Sequence, residues 1–162
     1  MDMRVNDEKP KEPQKGEEDD HNEEDLADLL QELRILLQGV QVMTAFLVIL
    51  PFSQGFKDID DFEKWIFLAT FLCSLSGLII FSAPAAMHRV ARPLTNRVRF
   101  KNFATRMTVI GLIPASLSLA LATQLVVDQV LGGAVSFVAA GLVLVLIAVL
   151  WWLLPLALKS KM

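Results

Sequence analysis

Four long apolar runs dominate this chain, and about 20 apolar residues are what a helix needs to cross the hydrocarbon of a bilayer. They cover about residues 35–53, 65–84, 107–128 and 134–155. Pro51 closes the first run, Pro84 closes the second, Pro114 lies inside the third and Pro155 ends the fourth. The central part of each carries no charged residue. A soluble core can bury one such helix, but not four in succession. The expected fold is all-α: a bundle of four transmembrane helices with an amphipathic extension of the first helix and a disordered acidic N-terminal tail.

Charge is distributed in blocks. Residues 1–28 hold twelve Asp/Glu against four Lys/Arg, whereas the rest of the chain holds six against eleven. The net charge of −3 therefore averages an acidic tail and a basic body. Residues 1–23 have few bulky apolar side chains, which is too little buried surface to offset their ordering entropy, so they read as a disordered cytoplasmic tail. Residues 24–162 form the membrane domain. No secretory signal opens the chain, because its first residues are polar. A single cysteine, Cys73, excludes an intramolecular disulfide.

Lys and Arg in the short connections set the expected orientation. The connection after the second span carries Arg89, Arg92, Arg97, Arg99, Lys101 and Arg106 without an acid. The first connection mixes Lys57 and Lys64 with four acids, the third has no cation, and the chain ends with Lys159 and Lys161. An even number of spans with a basic middle loop gives a multi-pass protein with both termini in the cytoplasm. Trp65, Trp151 and Trp152 fall near span ends, where aromatic belts form. The six cations of the middle loop would attract anionic lipid headgroups, at about 1 kcal/mol each near the surface. Topology already accounts for them, so nucleic acid is not expected as a partner. The acidic tail lies on the same side and is a candidate salt-sensitive cover for this loop.

The first span begins as an amphipathic helix. Leu26, Leu29, Leu30, Leu33, Leu36 and Leu37 share one face, with Asp28, Gln31, Glu32 and Arg34 elsewhere. At 100° per residue, Gln31, Arg34, Gln38 and Gln41 fall within about 80° of one another. Thr44 lies one turn on and is less well aligned. Gln38 and Gln41 enter hydrocarbon, where an amide must find a partner because lipid offers none. Three readings stand open: the amides bond neighbouring helices of the bundle, they line a wet path where several protomers meet, or the face docks on another membrane protein. Two rows of small residues, Ala69/Cys73/Gly77 and Gly132/Ser136/Ala140, repeat every four positions and suit close helix packing. Ser116, Ala120 and Thr123 give the third span a small, weakly polar face.

Several of these stretches, "LLQELRILLQGVQVMTAFLVILPFSQGF", "DDFEKWIFLATFL", "FSAPAAMHRV" and "LWWLLPLALK", resemble a family of small bacterial four-helix membrane proteins of unknown function. The resemblance covers about Leu26 to Lys159 and implies a four-helix protein of a bacterial inner membrane. Some members carry the label sodium:proton antiporter. The residues argue against it here, because such exchange needs an ionisable carboxylate within the membrane. Glu32, Asp58, Asp60, Asp61, Glu63 and Asp128 all lie at or beyond a boundary. Four spans also leave no room for inverted repeats with broken helices.

Catalysis is not expected either. His21 sits in the tail and His88 at a span end, with no paired Cys/His spacing for a metal and no nucleophile beside a base. No cofactor or metal is implied. Asp60 followed by Glu63 reads as a capping box opening the second helix rather than as cation ligands. The expected function is that of a homo-oligomer whose first helices surround an ion or small-solute pathway. The alternative is a non-catalytic accessory or scaffold subunit of a larger membrane complex. The orientation has a direct check: in a Cys73→Ser background, Arg97→Cys should react with a membrane-impermeant thiol reagent only in inverted vesicles. Reaction in intact cells would reverse the topology.

Overall fold

The computed structural model describes residues 15–90 and 97–159, and every regular element among them is helical. Helix α1 (Lys15–Ile49) leads through 3₁₀ turns at Leu50–Phe52 and Gln54–Asp58 to α2 (Asp61–Val90). Helix α3 (Arg97–Leu131) is followed by α4 (Gly133–Ile147), which runs through a π-helical stretch, Ala148–Leu153, into α5 (Leu154–Lys159). Four segments are long and apolar enough to span a membrane: Ala27–Phe52, Asp61–Val90, Val98–Leu131 and Gly133–Lys159. The chain is an all-α four-helix membrane bundle.

Helices α2 and α3 make the broadest contact, α1 packs on both of them, and α4 packs on α3 alone. Small residues set these approaches. A Cβ added to Gly77 of α2 would lie 3.7 Å from atoms of Val40 on α1 and Ala115 on α3, so three helices converge at this level. One helical turn away, the ring of Phe81 occupies the space beside Gly111, where a Cβ would come within 2.5 Å of it. The buried cluster of Leu33, Val40, Phe81 and Ala115 forms around these two contacts. Helix α4 buries little beyond Ser136 and Ile147. Its remaining apolar surface suits lipid as a neighbour.

One end of the α2–α3 pair shows how the chain terminates helices. At the start of α2, the Asp60 N–H donates to Glu63 Oε2 (2.9 Å) and the Glu63 N–H donates to Asp60 Oδ1 (2.7 Å), the reciprocal bonds of the expected capping box. Glu63 Oε1 also accepts from Gln129 Nε2 at 3.1 Å, tying the end of α3 to the start of α2. The turn from α3 to α4 is made by Gly132 (φ 66°) and Gly133 (φ 58°), a left-handed pair that L side chains rarely adopt. Ser136 Oγ then donates to Asp128 Oδ1 at 2.8 Å, stapling the two helices.

Three boundaries differ from the sequence reading. Helix α2 continues through the buried Pro84 to Val90 instead of ending there, because the lost backbone bond is tolerated where neighbouring helices enclose the proline. Helix α1 begins at Lys15, inside the stretch that composition assigns to a disordered tail. Most of the basic loop is helical: Arg97, Arg99, Lys101 and Arg106 lie on an extension of α3. The π-helical stretch lies directly before Pro155, whose ring would collide with the Trp151 carbonyl in a regular α-helix. There the Leu154 N–H bonds back to the Val149 carbonyl, five residues away.

The Gly111–Phe81 contact gives a stability test. Gly111→Ala should destabilise the bundle by about 1–3 kcal/mol, as overpacking does. Thermal unfolding in detergent reads this, and adding Phe81→Leu should recover most of the loss.

Candidate functional site

The polar row of α1 and the mid-span contacts of α2 are fixed by the same rotation of α1. Thr44 is buried and its Oγ1 donates to the Val40 carbonyl at 2.8 Å. Ser74 of α2 is fully buried, with its Oγ 2.6 Å from Thr44 Oγ1. Since the Thr44 hydrogen is committed to its own helix, Ser74 is the donor in the pair. This contact lies near the middle of the bilayer, because Ser74 is two residues from the centre of the charge-free stretch Trp65–Met87.

From that level the rise of a helix places the rest of the row. Gln41 is about 4.5 Å from the Thr44 level, Gln38 about 9 Å and Arg34 about 15 Å, against a hydrocarbon half-thickness of about 15 Å. Gln38 and Gln41 are therefore inside hydrocarbon, Arg34 is at its edge and Gln31 lies beyond it. All four are exposed on the outside of the bundle. Neither Gln38 nor Gln41 has a side-chain hydrogen bond to another described residue. Of the five residues picked out on this helix, only Thr44 has an interhelical hydrogen bond among the described residues. Beyond Gln41 the same face continues as Ala45, Val48, Ile49 and Phe52, all exposed and all apolar.

A lateral groove runs along the opposite flank of α1, between it and the π-helical stretch. Gly39, Met43, Ala115, Leu119 and Trp151 line a cavity of about 240 Å³. A Cβ at Gly39 would meet nothing within 4 Å. Helix α1 thus has two uncovered sides, one polar for half its length and one apolar.

The packing rows inferred from small residues are only partly those the structure uses. Gly77 is buried, Cys73 is half-buried and Ala69 is exposed. The face that packs is instead Ile66, Thr70, Ser74, Gly77, Phe81 and Pro84. On the fourth span Ser136 is fully buried and Ala140 half-buried, but Gly132 lies in the turn and outside the helix. Thr70, Ser74 and Ser118 are each fully buried. Thr70 donates to the Ile66 carbonyl at 2.7 Å and Ser118 to the Ala115 carbonyl at 2.9 Å. Such back-bonding satisfies a hydroxyl within its own helix. Spacing of Ser/Thr at i and i+4 on α2 was the signal available for the Thr70–Ser74 face.

Sequence reasoning also passed over Gln124, which is 4% exposed on α3 and has no side-chain hydrogen bond to another described residue. Asp128 is half-buried and structural, as the acceptor for Ser136. Among the basic residues, Arg89 and Arg106 are exposed, Lys101 is half-buried and Arg99 is exposed. Arg92 and the side chain of Arg97 lie outside the described residues, as does the tail through residue 14. His88 rests against Phe100 of α3, with ring centroids 5.6 Å apart at 56°. Among the described residues no three His, Cys, Asp or Glu gather as metal ligands.

A family model described as a family of unknown function, DUF6328, matches residues 16–155. No curated protein and no solved structure matches the chain.

Gln124 offers a discriminating substitution. No buried side-chain nitrogen or oxygen among the described residues lacks a partner, so the Gln124 amide reaches the surface of the bundle, where facing lipid costs free energy that an apolar side chain of similar length does not incur. Gln124→Leu should leave thermal stability in detergent unchanged or raise it. A loss above about 1 kcal/mol would mean that the amide is satisfied in the native bilayer state.

Proposed function

The chain belongs to the DUF6328 family, and we propose that it is a non-catalytic membrane protein that works as an assembly joined through the outward face of α1. The observation that carries this reading is the exposure of Gln38 and Gln41 within hydrocarbon, without a hydrogen-bond partner among the described residues. An amide facing lipid there is costly, and a second protomer supplies both donors and acceptors at the matching depth. Each such bond contributes about 0.6–2 kcal/mol to helix association. The exposed Ala45 lies on the same face and allows close approach; Val48, Ile49 and Phe52 extend the contact toward the acidic hairpin. The role that fits this geometry is a homo-oligomeric scaffold or accessory subunit in a cytoplasmic membrane of bacterial type, with both termini inside.

A second reading keeps the same assembly and gives it a passage. The row Gln31, Arg34, Gln38 and Gln41 is unbroken from beyond the hydrocarbon edge to near mid-span, so several copies would form a polar vestibule. The apolar continuation Ala45–Phe52 would then act as a constriction for an ion or small solute. That half-length of apolar lining is why assembly, rather than conduction, stands as the principal conclusion.

The two readings separate in reconstituted protein. Gln38→Leu with Gln41→Leu should shift the oligomer toward protomers in mild detergent, by about threefold or more in association constant. An unchanged oligomer distribution would remove the assembly reading. Ion or solute flux from liposomes that changes with Gln41→Leu alone supports the vestibule, and inert liposomes support the scaffold.

A further inference from the structure

At the arginine-bearing end, α1 and α2 diverge around a cavity of about 600 Å³. This lies within the 300–1,000 Å³ common for small-molecule sites. Arg34 of α1 and His88 and Arg89 of α2 line it, above an apolar floor that includes Leu33, Leu37 and Phe81. No acid lines it. Neither arginine forms an ion pair with a described residue. The ring contact with buried Phe100 holds the His88 imidazole at the wall of the cavity.

We propose that this cavity is a binding site for one anionic phospholipid, its phosphate held by Arg34, Arg89 and His88 and the upper part of an acyl chain laid over Leu33, Leu37 and Phe81. Depth selects this class of ligand. Arg34 lies about 15 Å from mid-span and His88 about 21 Å, by helical rise from Thr44 and Ser74. The cations therefore sit where headgroup phosphates lie, and Phe81, about 10 Å from mid-span, sits where chains lie. A free phosphate has no use for the apolar floor, and a purely hydrophobic ligand has none for the cations. Guanidinium groups bond phosphate oxygens through paired N–H donors, which distinguishes this pocket from a diffuse basic surface. The site goes beyond the assembly reading and does not depend on it, since every lining residue belongs to one chain.

The test uses the full chain in nonionic detergent, with bound lipid counted by native mass spectrometry. The probes are phosphatidylglycerol, phosphatidylcholine with the same chains, and inorganic phosphate. One phosphatidylglycerol per protomer should be retained in preference to phosphatidylcholine, and inorganic phosphate at matched concentration should not displace it. Arg34→Gln with Arg89→Gln should weaken retention about twenty-five-fold, taking each cation as a factor of about five. Ala85→Leu fills the floor without changing charge and should also weaken it, whereas Lys64→Gln at the opposite end should not. Equal retention of phosphatidylcholine, displacement by phosphate, or full retention by the arginine double variant would each overturn the assignment.

Discussion

One hydrogen bond between two small side chains, Ser74 to Thr44 at 2.6 Å, sets the rotation of α1 on which the outward face of the protein depends. Both hydroxyls are buried near mid-bilayer, where an unpaired polar group has no solvent to turn to. Thr44 must therefore face α2. The centre of the Gln31–Gln41 row lies about a quarter turn from Thr44 around the helix. Holding Thr44 inward consequently turns the glutamines outward. A small hydroxyl pair, modest in energy, decides which polar groups the bundle keeps and which it presents.

The two ends of the bundle are built differently. At the acidic hairpin the capping box, the Gln129–Glu63 bond and the Ser136–Asp128 bond join α2, α3 and α4 through side chains that also terminate helices. At the arginine end, residues of α1 and α2 line a cavity whose rim carries Arg34, His88 and Arg89. Helix α4 touches only α3, so α1 is left with two lateral openings. A protein meant to be self-sufficient in lipid would close these sides. The proposed assembly would cover the flank that carries the amides, and the proposed lipid would fill the cation-rimmed cavity beside it.

Much of the fold could be read from residue order, and the exceptions share a cause. The four spans follow from length and hydropathy, and the capping box from the spacing of Asp60 and Glu63. The packing faces were harder. In a helix that is apolar on every side, period analysis finds no core stripe, because lipid and protein interior reward the same side chains. Ala69 and Cys73 thus looked like a packing row, while Thr70 and Ser74, one position on, form it. Pro84 looked like a terminator because its cost is normally decisive in a water-exposed helix. Gly132 shares the spacing of Ser136 and Ala140, yet its positive φ makes it part of a turn.

The sequence by itself determined that this chain lives in a bilayer, with four crossings and the polar row confined to the first, since these depend on local composition and helical period. Only the tertiary structure decided what that row faces. Helix rotation is a property of pairs of helices, set here by Thr44 meeting Ser74, Gly77 admitting Val40 and Gly111 admitting Phe81. The same is true of the cavity rimmed by Arg34, His88 and Arg89, since Arg34 lies more than fifty positions from the other two and becomes their neighbour only when α2 folds back along α1.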